Sequence, residues 1–118
     1  MTTAVLALLS ETRAAISRDP VLRAFVGTAL PPDLPQIDLP ARRLPATALV
    51  AAGHWSGPLA KAVVAAAPDL YWQQSYTLED GFDADYLARY GWFNLVSPDG
   101  PYLSETLRIS VGFWDSGL

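Results

Sequence analysis

The sequence predicts a single α+β domain with helices first and strands last. Three observations carry that reading. Apolar residues recur at helical spacing through the first half, with Val5, Leu6, Leu8, Leu9 and Ile16 forming one broad stripe. A run of prolines, Pro31, Pro32, Pro35, Pro40 and Pro45, separates this region from a second, alanine-rich helical stretch. Strict alternation appears only near the end, where Leu107, Ile109, Val111 and Phe113 interleave with Arg108, Ser110, Gly112 and Trp114.

The elements follow in order. Residues 2–17 read as a helix that Thr2 or Thr3 can cap, and Asp19-Pro20 opens a second short helix through Leu22, Phe25 and Val26 to Gly27. Residues 30–45 read as an extended segment across the surface, anchored by Ile37 and Leu39. Residues 46–53 hold one or two helical turns. Residues 56–67 form a better helix, with Ser56 as cap, Pro58 in the first turn and Pro68 as the stop. Asp83 caps a short helix over 83–90. A strand runs from Trp92 to Val96, Ser97-Pro98-Asp99-Gly100 makes a turn, and Leu107–Trp114 is the clearest strand. The division is a mainly helical part, 1–90, and a strand part, 91–118, within one domain of residues 1–118.

Composition narrows the function classes. The chain has 118 residues and a net charge of −4, with Lys61 its only lysine, so it lacks the clustered cations that nucleic acid demands. Arg42 and Arg43, the one basic pair, read as a solvated loop. With no cysteine, disulfides and thiolate metal sites are excluded, and a cytoplasmic location is expected. The apolar start lacks a basic region and runs into Ser10, Glu11 and Arg13, so it reads as a helix and not a signal peptide. No apolar run approaches the roughly 18–20 residues that cross a bilayer, so no membrane partner is expected.

Chemistry is sparse. His54 is the sole histidine and reads as a polar cap or surface residue, since imidazole metal centres draw on two or three. No Gly-x-Ser-x-Gly elbow accompanies it. Glu79, Asp80, Asp83 and Asp85 lack the ligand spacing of a calcium loop and read as an acidic turn. The dense aromatics from Tyr71 onward read first as core packing, with the holding of a cationic osmolyte through cation–π attraction as the alternative. The last strand lies four residues from the end of the sequence, and an amphipathic strand does not bury its apolar face alone. The expectation is that its sheet is completed by later residues or by a second copy pairing through residues 107–114.

From Leu70 onward the sequence resembles the cupin-type dimethylsulfoniopropionate (DMSP) lyases. The resemblance rests on Leu70-Tyr71-Trp72-Gln73-Gln74-Ser75-Tyr76-Thr77, on Tyr86-Leu87-Ala88-Arg89-Tyr90-Gly91-Trp92, on the turn Ser97–Gly100 and on Ser104-Glu105-Thr106-Leu107-Arg108. It implies an N-terminal helical layer packed on a cupin-like β-barrel, of which residues 91–118 are the first strands and which is incomplete in this chain. It implies a divalent transition metal (Fe, Zn, Mn or Ni) held by a His-x-His-x4-Glu-like motif and a later histidine, with a tyrosine as base. It implies β-elimination of DMSP, or a similar small acid, to dimethyl sulfide and acrylate. That motif is expected just past Leu118, so no catalytic or metal residue is assigned here and the chain alone is expected to be inactive. Trp72 and Trp114 are the rings assigned to line a substrate pocket.

Overall fold

The structure is a computed structural model that describes residues 2–116. The expected boundary 118 therefore lies outside the described residues. Among the described residues five α-helices precede a three-stranded sheet: α1 (Thr3–Arg18), α2 (Pro20–Val26), α3 (Pro45–Ala52), α4 (Pro58–Ala66), α5 (Ala84–Ala88), β1 (Tyr90–Ser97), β2 (Tyr102–Leu103) and β3 (Ile109–Trp114).

Local sequence explains the helix ends. Thr2 accepts a hydrogen bond from the Val5 amide at 3.3 Å, and Asp19 accepts from Val21 and Leu22 at 2.9 and 3.2 Å with Pro20 in the first turn. Asp83 caps α5 through the Tyr86 amide at 2.7 Å. Ser56 does not cap α4 as expected. The helix starts two residues later, with Pro58 in its first turn, and has no side-chain cap because the residue at the cap position, Gly57, carries no side chain. The turns over 46–53 resolve into the complete helix α3, where Thr47 reaches back to accept from the Leu44 amide at 3.0 Å.

The sheet order is β2-β1-β3, with β1 parallel to β2 and antiparallel to β3. The parallel contact of β2 was not expected from the sequence, because a two-residue strand carries no periodicity. One register break separates Asn94↔Ser110 from Val96↔Ile109, leaving Leu95 as the additional residue of β1. Helices cover one face of this sheet. Val5, Leu8 and Leu9 of α1, Val50 of α3, Ala66 of α4 and Phe93, Leu95 and Val96 of β1 share one buried cluster with Leu70, Trp72 and Tyr102. α2 packs on α1 and leaves Val21 and Phe25 exposed, at 76% and 81%.

The proline-rich segment lies extended, and backbone bonds tie it at both ends. Ile37 donates to the Pro101 carbonyl at 2.9 Å, Leu103 donates to Pro35 at 2.7 Å, and Arg42 and Trp72 exchange bonds with Leu70 and Arg42. Its apolar anchors are Leu30, Leu34 and Leu44, not Ile37, which remains 40% exposed. Ile37 instead lies over Gly100, whose φ of +89° and lack of a Cβ suit the turn into Pro101. Carbonyls released by the prolines find a donor in Arg13 of α1. Its guanidinium bonds to Leu30, Pro31 and Pro32 at 3.2, 2.6 and 3.3 Å.

Tyr102 is 3% exposed, and its hydroxyl is the buried side-chain polar atom that lacks a partner among the described residues. Burial raises its pKa, with nearby Arg13 opposing. A raised folded-state value leaves stability intact below the unfolded pKa of about 10 and withdraws it as pH climbs beyond that. Tyr102→Phe removes the orphan hydroxyl and is expected to stabilise the fold by about 1 kcal/mol, or about 4 °C in Tm at pH 7. Thermal melts from pH 7 to 11 check this, and the variant is expected to lose less stability above pH 10 than the parent.

Candidate functional site

The two faces of the β1–β3 pair offer two different concavities. On the helix-covered face lies an apolar cavity of about 170 Å³, lined by Val50, Trp55, Val63, Trp72 and Phe113 among others. Trp55 reaches it from the loop after α3: its indole N–H donates to the Val50 carbonyl at 2.8 Å, and its ring meets Phe113 edge-on at 6.2 Å. On the open face lies a more polar groove of about 230 Å³, bounded by Tyr71, Gln73, Trp92, Asn94, Asp99 and Arg108. Asn94 there accepts a bond from Ser110 across the strands at 2.6 Å.

The two assigned rings fall on opposite faces. Trp72 is fully buried, with its indole N–H bonded to Ala67 at 2.8 Å and its ring edge-on to Phe93 at 5.1 Å. Trp114 is 57% exposed on the open face, with a ring-centroid distance of 5.4 Å to Tyr90 and a bond from its indole N–H to the Tyr86 hydroxyl at 3.3 Å. The indole leans over Gly112, where a Cβ would come within 2.6 Å of the ring, so this position admits no larger residue without displacing it.

Tyr76, Phe82, Tyr86 and Tyr90 form one layer. Tyr76 stacks on Phe82 at 4.3 Å, Phe82 meets Tyr86 at 5.0 Å, and Tyr86 meets Tyr90 at 5.4 Å. The rings pack on one another, but only Tyr90 is buried and Tyr76 is exposed, so the layer lies beside the core and not within it. Carboxylates of the acidic turn also serve local structure. Asp80 accepts from the Thr77 amide and hydroxyl at 2.9 and 3.0 Å, Asp83 caps α5, and Asp85 pairs with Arg89 at 3.1 Å.

Arg89 is an organising residue that sequence reading passed over, and the Arg42–Arg43 pair makes local contacts that its reading as a solvated loop did not include. Arg89 bonds Asp115 at 3.2 Å as well as Asp85, and these acceptors raise its pKa. It thereby joins α5 to the end of β3. Arg42 lies 5.6 Å from the centroid of Tyr71, and Arg43 donates to the Pro68 carbonyl at 3.1 Å, so the pair stays exposed, as a solvated loop would be, while it also fastens the extended segment. The spacing of these arginines from their partners, 25 residues or more for Arg43 and Asp115, hides them from local pattern.

His54 is exposed, and no three His, Cys, Asp or Glu side chains among the described residues come together to hold a metal ion. The described residues thus do not supply the ligand set of the transition metal that the family resemblance implies. No described helix is long and apolar enough to cross a membrane.

Comparison with known proteins bears out the lyase resemblance. No protein-family model matches the chain, and no curated protein matches it significantly. A chain from the crystal structures of the DMSP lyases RdDddP and RnDddQII is 41% identical with a TM-score of 0.86, over 98% of this chain and 60% of that one. The DMSP lyase DddQ from Ruegeria pomeroyi DSS-3 is 28% identical with a TM-score of 0.88, over 100% and 61%. The chain thus spans about three fifths of the length of the lyases it matches.

The different settings of the two tryptophans separate their roles. Trp72→Ala is expected to cost about 3–5 kcal/mol, the range for emptying a buried ring site. Trp114→Ala, at an exposed ring, is expected to cost about 1 kcal/mol or less. Urea titrations followed by circular dichroism measure both.

Proposed function

Similar along its whole length to DMSP lyases, this chain is one for which we propose the role of helical cover and first strands in a lyase-like cupin barrel. The observation that carries the reading is the 41% identity with a DMSP lyase chain, joined to an open sheet whose free face bears Trp92, Asn94 and Trp114. In the proposed reaction a base takes the proton beside the DMSP carboxylate. The resulting electron pair forms the carbon–carbon double bond as the carbon–sulfur bond breaks, giving acrylate and dimethyl sulfide. A divalent transition metal, when bound by residues additional to those described, would stabilise charge on the carboxylate. Within this chain the proposed contact for a sulfonium is Trp114, whose exposed ring favours it, and the proposed pocket role of Trp72 is to line the apolar cavity behind the sheet. A cytoplasmic setting, favoured by the absence of cysteine, completes the reading.

A second reading is self-pairing of the chain through residues 107–114, favoured by the side of β3 that has no neighbouring strand among the described residues.

The test of the lyase reading is complementation. The chain alone, with Fe, Zn, Mn or Ni and DMSP, is expected to release no dimethyl sulfide above buffer. Co-expressed with the two fifths of the 41%-identical lyase that it does not match, it is expected to form a complex that does. Gas chromatography of the headspace reads the product. A stable complex without dimethyl sulfide, or no complex at all, would count against the proposal.

A further inference from the structure

The polar groove of the open face is walled by this chain's own segments. Trp92 of β1 directs its N–H and its carbonyl at Gln73, at 2.9 and 2.7 Å, so the wall of Tyr71 and Gln73 stands on the flank of β1 away from β3. Asp99, in the turn after β1, borders the groove too. Neither wall depends on what lies beyond the outer side of β3. The most buried polar side chain in the groove is Asn94, 8% exposed. Its Oδ1 accepts from the Ser110 hydroxyl at 2.6 Å, and its Nδ2 donates no hydrogen bond among the described residues. A nearly buried amide N–H without an acceptor is costly, so the groove presents a donor that lacks its partner.

Arg108 adds a second and cationic donor to the same groove, and it makes no hydrogen bond or ion pair among the described residues. A neutral amide and a guanidinium together suit an oxyanion, and a carboxylate accepts from both at once. Asp99 carries a negative charge at the same groove and disfavours a ligand with a second carboxylate. The aromatic residues supply the opposite pole. The indole of Trp114 leans over Gly112, and Gly112 pairs with Trp92, which borders the groove. Ser110, the cross-strand partner of Asn94, follows two residues along β3, a step of about 7 Å. A carboxylate and an onium group joined by two methylenes fit that interval, the onium at the indoles and the carboxylate at Asn94.

We infer that Asn94 and Arg108 take the carboxylate of a small zwitterion whose onium group lies at Trp92 and Trp114. This rests on the lyase reading above and adds the residues that hold the acid end of its substrate. The test is an NMR titration of the whole 15N-labelled chain with DMSP, and separately with propionate, each to about 50 mM, with circular dichroism to verify folding. DMSP is expected to bind in the millimolar range and to shift the Asn94 side-chain amide and the Arg108 Nε signal saturably. Propionate, which lacks the onium, is expected to shift the same signals with lower affinity. Asn94→Asp keeps the acceptor for Ser110 but puts a carboxylate where the donor was. Arg108→Gln alters an exposed side chain with no partner of its own. Each is expected to weaken both ligands about ten-fold. Absence of these shifts with DMSP at 50 mM, or affinities in both variants equal to the parent's, overturns the inference. The lyase reading fails separately, by the absence of dimethyl sulfide from the complemented complex, and saturable shifts that both variants abolish would stand without it.

Discussion

The contact between Trp72 and Phe93 is the constraint around which the fold is arranged. Trp72 stands between the extended segment, to whose Arg42 its backbone bonds, and β1, which its ring touches edge-on. Its indole N–H would be costly to bury without a partner, and Ala67, just past α4, supplies the acceptor. One side chain therefore fixes the end of the fourth helix, the path of residues 70–73 and the position of the central strand. The amino-terminal helix then closes the core by laying Val5, Leu8 and Leu9 on the same cluster.

Strand β1 is satisfied on both sides. Gln73 pairs with Trp92 near its beginning, β2 pairs with Val96 and Ser97 near its end, and β3 runs along the opposite side. Strand β3 has no such second neighbour among the described residues, and its helix-facing side chains are only partly buried. Among the described residues this asymmetry divides the molecule into a packed half and a more exposed half. The helical cover and the core belong to the first, and the polar face with Asn94 and Arg108 belongs to the second.

Much of this was legible in the sequence where the determinants are local. Helix starts at Thr2, Asp19 and Asp83, the turn at Ser97–Gly100 and the alternation in β3 each follow from residues a few positions apart. What stayed hidden depends on distant partners. A two-residue parallel strand has no pattern, the anchoring of the proline-rich segment by Leu30, Leu34 and Leu44 depends on which way an irregular chain turns, and Arg89 reads as any helical arginine until β3 folds beside it. The lyase resemblance was visible in the aromatic blocks from Leu70 onward. The separation of Trp72 and Trp114 onto opposite faces was not, because it follows from how residues 70–73 enter the sheet.

Arg13 has a consequence for how the molecule opens. Its guanidinium holds the carbonyls of Leu30, Pro31 and Pro32, a stretch whose prolines donate nothing in return. Lifting the first helix from the core would strip that stretch of its donors at the same moment, and peeling the stretch away would leave an arginine beside the buried ring of Tyr102. The two pieces, far apart in character, therefore breathe as one cooperative unit, and loss of order at the amino terminus would be transmitted to the parallel strand on the far side of the sheet.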